Sequence, residues 1–134
     1  MTNKLLLIIG ILGVLTVGMG AMGAHAIKSV VSVKCFEYYQ IGIFYQFIHL
    51  LAIFGVTLVP NWSQVAKRNI IRFFVLGILL FSGSLYVLTF QELIDISSLK
   101  MILIPATPIG GVCLMLGWGA MAFYARKRED INHE

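Results

Sequence analysis

"GMGAMGAHAIK", residues 18–28, closes the first apolar run of the chain, and its reading decides the fold class. Ala24-His25-Ala26 has the small-x-small pattern of a signal-peptide cleavage site, which would remove the first span from the mature protein. The same residues also read as the outer end of a permanent transmembrane helix, with the glycines as its packing face and His25 as a potential ligand. Length separates the readings. The apolar run extends from Leu5 to Ile27, well beyond the roughly 7–15 residues of a signal-peptide core. Three further apolar stretches follow it, so the segment is expected to stay as the first helix.

The composition agrees with a chain that lives in lipid. Hydrophobic residues make up 59% of the sequence, charged residues 12%, and the mean hydropathy is +0.91, against about 45–50% apolar and about 25% charged in a soluble domain. Residues 5–27, 38–59, 73–90 and 101–125 contain no Asp, Glu, Lys or Arg, and a bilayer core takes roughly 20 residues to cross. The expected fold is therefore an all-α integral membrane protein, one domain over 1–134, with four transmembrane helices in an up-down-up-down bundle. Residues 126–134 form a charged tail. Cys35 lies before the second span and Cys113 deep in the fourth, too far apart in depth for a disulfide that needs Cα atoms within about 7 Å.

Lys and Arg are distributed unevenly over the connections. Lys4, Lys67, Arg68, Arg72, Arg126, Lys127 and Arg128 fall on one side, whereas Lys28, Lys34 and Lys100 fall on the other. The positive-inside rule then places both termini in the cytoplasm. The same asymmetry accounts for the basic balance, so no nucleic acid is expected as a partner. In the first outer loop Val30, Val33 and Phe36 share one helical side, which leaves a short helix along the membrane surface open.

All thirteen glycines fall inside the proposed spans, where small residues let helix backbones approach. Gly13, Thr16, Gly20 and Gly23 recur at spacings of three and four in the first span, as do Gly110, Cys113, Gly117 and Ala120 in the fourth. Both stripes are expected to face neighbouring helices. Pro105 and Pro108 predict a fourth helix that is kinked or broken, because each lacks an amide donor and disfavours helix in the residue before it. Thr107 would then cap a regular helix beginning at Pro108, with "MILIPA" (101–106) irregular on the outer side.

The polar residues of the spans are the candidate functional cluster. Gly42, Tyr45, Gln46 and His49 stand at i, i+3, i+4 and i+7 and should share one inward face. An ionisable side chain at mid-membrane is a functional candidate by default, yet Ser82 and Ser84 of "FSGSLY" can satisfy His49 by hydrogen bonding alone. No acidic residue lies in the spans, so neither a catalytic triad nor a paired-carboxylate site is expected. His25 belongs at the membrane boundary, bonded to the loops. It stands about 12 Å shallower than His49 at 1.5 Å per residue, which speaks against paired axial haem ligands. His133 belongs to the solvated tail.

With those residues in view, the chain resembles a family of small bacterial inner-membrane proteins known as domain of unknown function 423 and uncharacterised protein family 0382, related to vertebrate transmembrane protein 256. The resemblance rests on "GAMGAHAIK" (20–28), "YQFIHLLA" (45–52), "GILLFSGSLYVL" (77–88) and "TPIGGVCLMLGW" (107–118), in that order. It implies a four-span protein marked by His25, Tyr45, Gln46, His49, Ser82, Gly83, Ser84, Thr107, Pro108, Gly110, Gly111 and Trp118. Met22 departs from it, standing where an aromatic residue is expected, and so does "FIH" (47–49). The resemblance implies no known substrate, cofactor or reaction.

Taken together, the sequence predicts a non-enzymatic structural or interaction protein of the bacterial inner membrane, in contact with lipid and with a second copy or another membrane protein. The competing expectations are a small transporter or pore with a polar cavity around His49, and a haem- or quinone-linked redox protein. No cofactor or metal is expected.

Overall fold

Hydroxyl and carboxylate caps set where three of the helices begin. Ser32 Oγ accepts from the Cys35 amide at 3.3 Å and starts α2, Val33–Leu58. Ser63 Oγ accepts from the Ala66 amide at 3.1 Å and starts α3, Gln64–Thr89. The Asp95 carboxylate accepts from the Ser97 amide at 2.9 Å and from its hydroxyl, and α4 runs from there over Ser97–Asn132. Ahead of these, α1 is α-helical over Thr2–Met22, passes through a π-helical stretch at Gly23–Ile27 and ends in a turn at Lys28–Val30. The computed structural model describes residues 2–132, and all four helices are apolar and long enough to cross a membrane.

The helices extend beyond the uncharged stretches because backbone hydrogen bonds continue into their charged first and last turns. Most of the expected charged tail is helical, since α4 continues to Asn132; His133 lies outside the described residues. No surface helix forms in the first outer loop. The chain turns at Val31 and Ser32, and the Ser32 cap starts α2 at once.

Of the two arrangements expected of the fourth helix, a kink or a break, the break does not occur. Residues 101–106 are helical, and α4 passes through Pro105 and Pro108 without interruption. Its start lies upstream, at Asp95, with the Ile96 carbonyl accepting from the Leu99 and Lys100 amides at 2.9 and 3.0 Å. Both prolines therefore fall inside an established helix. Thr107 is not a cap; its hydroxyl turns back to the Leu103 carbonyl at 3.2 Å.

Each helix packs mainly on its neighbour in the chain, α3 on α4 most extensively, then α2 on α3, then α1 on α2. The α3–α4 contact is a reciprocal fit of large and small residues along two antiparallel helices. The Phe74 ring lies against Gly117, the Leu114 side chain against Gly77, the Phe81 ring over Gly111, and Ser84 meets Thr107. At Gly110 the approach is backbone to backbone: a Cβ there would lie 2.9 Å from the Leu80 carbonyl carbon and from Phe81 Cα. The buried core of Ile53, Val56, Ile70, Phe74 and Leu114 lies toward the loop between α2 and α3, covered by Trp62 and Tyr124. At the opposite end Glu92, from the α3–α4 loop, accepts from the Ser32 hydroxyl at 2.8 Å and the Ser32 amide at 3.2 Å. These bonds hold the Glu92 carboxyl below its usual range.

The glycine stripes are only partly packing faces. Gly110 and Gly117 meet α3 closely, and a Cβ at Gly23 would lie 2.5 Å from the Tyr39 ring. Gly20 is looser, 3.9 Å from Ile43, and Gly13 has nothing within 4 Å. α1 packs mainly on α2, so part of its stripe faces outward. Gly42 under Tyr86 and Gly77 under Leu114 are close contacts that the stripe pattern missed.

These contacts predict unequal tolerance of alanine. Gly110→Ala should lower the thermal unfolding midpoint in detergent, at a cost of about 1–3 kcal/mol for overpacking, because backbone atoms cannot yield. Gly119→Ala, with open space around it, should leave the midpoint unchanged or raise it. Equal midpoints for the two variants would contradict the α3–α4 fit.

Candidate functional site

The residues expected on one polar face of α2 divide between two sides of that helix. Gly42 and Gln46 look toward α1 and α3, where the Tyr86 hydroxyl donates to Gln46 Oε1 at 2.9 Å. Gln46 Nε2 donates in turn to Thr16 Oγ1 at 2.5 Å, and the Thr16 hydroxyl donates to the Leu12 carbonyl at 2.7 Å. One amide side chain thus joins three helices, with both its donor and acceptor ends used.

Tyr45 and His49 look the other way, toward α4. His49 is buried, with Nδ1 2.7 Å from the Tyr45 carbonyl oxygen, while Trp118 Nε1 donates to His49 Nε2 at 3.2 Å. An indole N–H can only donate. His49 Nε2 must therefore accept, and Nδ1 carries the proton that is given to Tyr45. The geometry assigns a neutral imidazole of one tautomer. Aromatic rings enclose it, Phe74 at 5.4 Å and Trp118 at 6.1 Å between centroids, while Tyr45 also lies 4.5 Å from Phe81. Pro108, expected at the boundary, lines the groove beside His49.

The two serines do not serve His49. Ser84 Oγ lies 2.7 Å from Thr107 Oγ1 and 2.9 Å from the Phe81 carbonyl oxygen, so Ser84 and the misplaced cap residue Thr107 tie α3 to α4. Ser82 Oγ is fully buried and has no hydrogen-bond partner among the described residues. A serine on the helix next to α2 has several inward directions open to it, and sequence spacing cannot choose among them.

His25 is exposed and makes no hydrogen bond to the loops. It sits in the π-helical stretch, where extra residues per turn displace it from the inward face. What the first helix contributes at this level is Gly23, beneath the Tyr39 ring, and the Met19 carbonyl, which accepts from the Tyr39 hydroxyl at 2.6 Å. His25 and His49 therefore differ in environment as well as depth, and both His49 nitrogens are engaged. Trp118, Tyr86 and Thr16 complete the polar contacts although none was counted in the candidate cluster. An indole or phenol in a span reads as apolar until its partner is known.

Comparison with known proteins places residues 19–111 in the family described as Protein of unknown function (DUF423). A UPF0382 membrane protein of Haemophilus influenzae is 30% identical over 131 residues, covering 98% of this chain and 100% of that protein. The UPF0382 inner membrane protein YgdD of Escherichia coli K12 is 34% identical over 145 residues, covering 100% of both chains. The UPF0382 membrane protein YwdK of Bacillus subtilis 168 is 32% identical over 118 residues, covering 86% of this chain and 90% of that protein. No solved structure matches the chain.

The Tyr86–Gln46–Thr16 chain predicts strong coupling. Gln46→Leu and Tyr86→Phe should each lower stability in detergent by about 0.5–2 kcal/mol, the scale of interhelical hydrogen bonds in lipid. The double variant should cost less than the two combined by at least about 0.5 kcal/mol, since the second change removes the group orphaned by the first. Additive thermal unfolding data would break the proposed chain.

Proposed function

The chain belongs to the DUF423 family, and on that premise we propose that it acts without catalysis, as a structural or interaction protein of the bacterial inner membrane. The single observation that carries this reading is that the interior polar groups are paired within the protein, Ser82 Oγ being the exception among the described residues. Gln46 uses both ends of its amide, His49 both ring nitrogens, and Ser84 is taken by Thr107. A transport pathway needs polar groups free to exchange partners with a solute, whereas these hold helices together. A bundle cross-linked in this way can act by association. α1 supports it, because Gly10, Gly13 and Gly18 meet nothing within 4 Å and could admit another helix closely, from a second copy or another membrane protein.

Orientation follows from charge. By sequence, the end formed by the chain termini and the α2–α3 loop has seven Lys and Arg (Lys4, Lys67, Arg68, Arg72, Arg126, Lys127 and Arg128) with Glu129, Asp130 and Glu134, while the other end has three (Lys28, Lys34 and Lys100) with Glu37, Glu92 and Asp95. We infer that the basic end is cytoplasmic. With the native cysteines replaced, a membrane-impermeant thiol reagent applied to whole cells should label Leu93→Cys and spare Asn61→Cys; the reverse pattern inverts the topology.

Purified in mild detergent, the protein should show a native mass above the 14.9 kDa of one chain. Reconstituted into liposomes, it should carry no proton or potassium flux above protein-free vesicles. A monomer whose flux disappears in His49→Gln, with stability retained, would replace this reading with the transporter.

A further inference from the structure

The groove between α2 and α4 carries a hydrogen-bonded polar pair, His49 and Trp118, on its wall. It encloses about 410 Å³ and is lined by Tyr45, His49, Phe81, Pro108, Met115 and Trp118 among others. That volume falls in the range of small-molecule sites, which combine apolar walls with a few placed polar groups. His49 is only 5% exposed, whereas Trp118 and Tyr45 are 45% and 37% exposed. The groove thus opens sideways to lipid, with the imidazole at its inner wall.

The tautomer determines what the pair can receive. His49 gives its proton to the Tyr45 carbonyl, so Nε2 can only accept, and the Trp118 indole beside it can only donate. Their direct bond, at 3.2 Å, is long. A hydroxyl group satisfies both partners at once, accepting from Trp118 Nε1 and donating to His49 Nε2. An ether or a carbonyl can take the indole proton but offers none to the imidazole, which would leave a buried acceptor unpaired. Inserting an oxygen on two bonds of about 2.9 Å needs the nitrogens to separate by roughly 1.5 Å more. The Trp118 ring is 45% exposed, so the indole can make that shift by moving outward from the groove wall. The rings of Tyr45 and Phe81 provide an aromatic wall for a flat ligand, where offset or edge contacts are favoured.

We propose that this groove binds a lipid-soluble phenol, its ring against Tyr45 and Phe81, its hydroxyl bridging Trp118 and His49, and its apolar tail in the bilayer. The site is not the polar clamp of Gln46 and does not depend on it. The ligand enters from the membrane, and recognition rests on one group that both donates and accepts.

Emission from Trp118, isolated by Trp62→Phe in the full chain, tests this in detergent. Titration with 4-nonylphenol should shift the emission saturably. The methyl ether 4-nonylanisole, which lacks the donor, and 1-nonanol, which lacks the ring, should each bind at least tenfold more weakly. Replacing the acceptor by His49→Phe should bring the phenol down to the level of the ether, and if that variant does not fold the ligand series decides alone. A linear, unsaturable response to the phenol, or an ether or alkanol that binds as tightly, overturns the proposal.

Discussion

Inside a bilayer a polar atom has no water to turn to, and this constraint organises the protein more than any apolar contact does. Leaving one such group unpaired costs several kcal/mol, whereas a made interhelical bond contributes only about 0.6–1.7 kcal/mol. The asymmetry explains why most polar side chains of the interior are used, Ser82 Oγ being the exception among the described residues. Gln46 joins α1, α2 and α3, Ser84 and Thr107 join α3 to α4, and Trp118 with His49 joins α4 to α2. Each cross-link forbids rotations that would orphan its members. A few weak bonds therefore specify one arrangement of helices whose outer surfaces, including Val14 and Met101 at 75% and 83% exposed, are otherwise interchangeable in lipid.

Close packing supplies what hydrogen bonds do not. Lipid tails match Leu or Phe for apolarity, so helices associate by fitting rather than by escaping solvent. The α3–α4 pair does this by exchanging roles: Phe74 and Phe81 project from α3 onto Gly117 and Gly111, Leu114 projects back onto Gly77, and at Gly110 the two backbones meet. That reciprocity brings the backbones together and sets Ser84 within reach of Thr107. The fit and the hydrogen bond thus depend on one register. On α1 no such exchange occurs, because it meets only α2 to any extent. Its glycines at 10, 13 and 18 are left open to the surroundings.

Much of the fold was legible in the sequence because length and hydropathy determine a spanning helix almost alone, and four such helices are what the chain forms. Direction around each helix axis was less legible. A spacing of three and four marks a common side but not which neighbour it meets, so Gly13 was grouped with Gly23 although only the second is covered. Gly42 to His49 likewise spread over two sides of α2. Whether α4 runs on through its prolines was left open for a different reason. Proline rules describe helices in water, and the start that carries α4 past Pro105 is a polar one, Asp95 with Ser97, outside the apolar run that drew attention. His25 shows the remaining gap, since one π-helical turn changes the facing of every residue beyond it.

His49 unites the structural and the binding roles without conflict. A histidine that used both nitrogens to hold helices would be a fastener only, and one that used neither would be an uncompensated cost. Here the two nitrogens are unequal. Nδ1 bonds to the backbone of its own helix one turn back, which fixes the ring whatever α4 does. Nε2 bonds to an indole that is 45% exposed and therefore able to shift. The backbone bond preorganises the acceptor, and the indole shields it until something better than an N–H donor at 3.2 Å arrives. The same pair that closes α2 against α4 is thus the one built to open for a hydroxyl group. Fixing the tautomer from within the helix is what lets closure and recognition share one side chain.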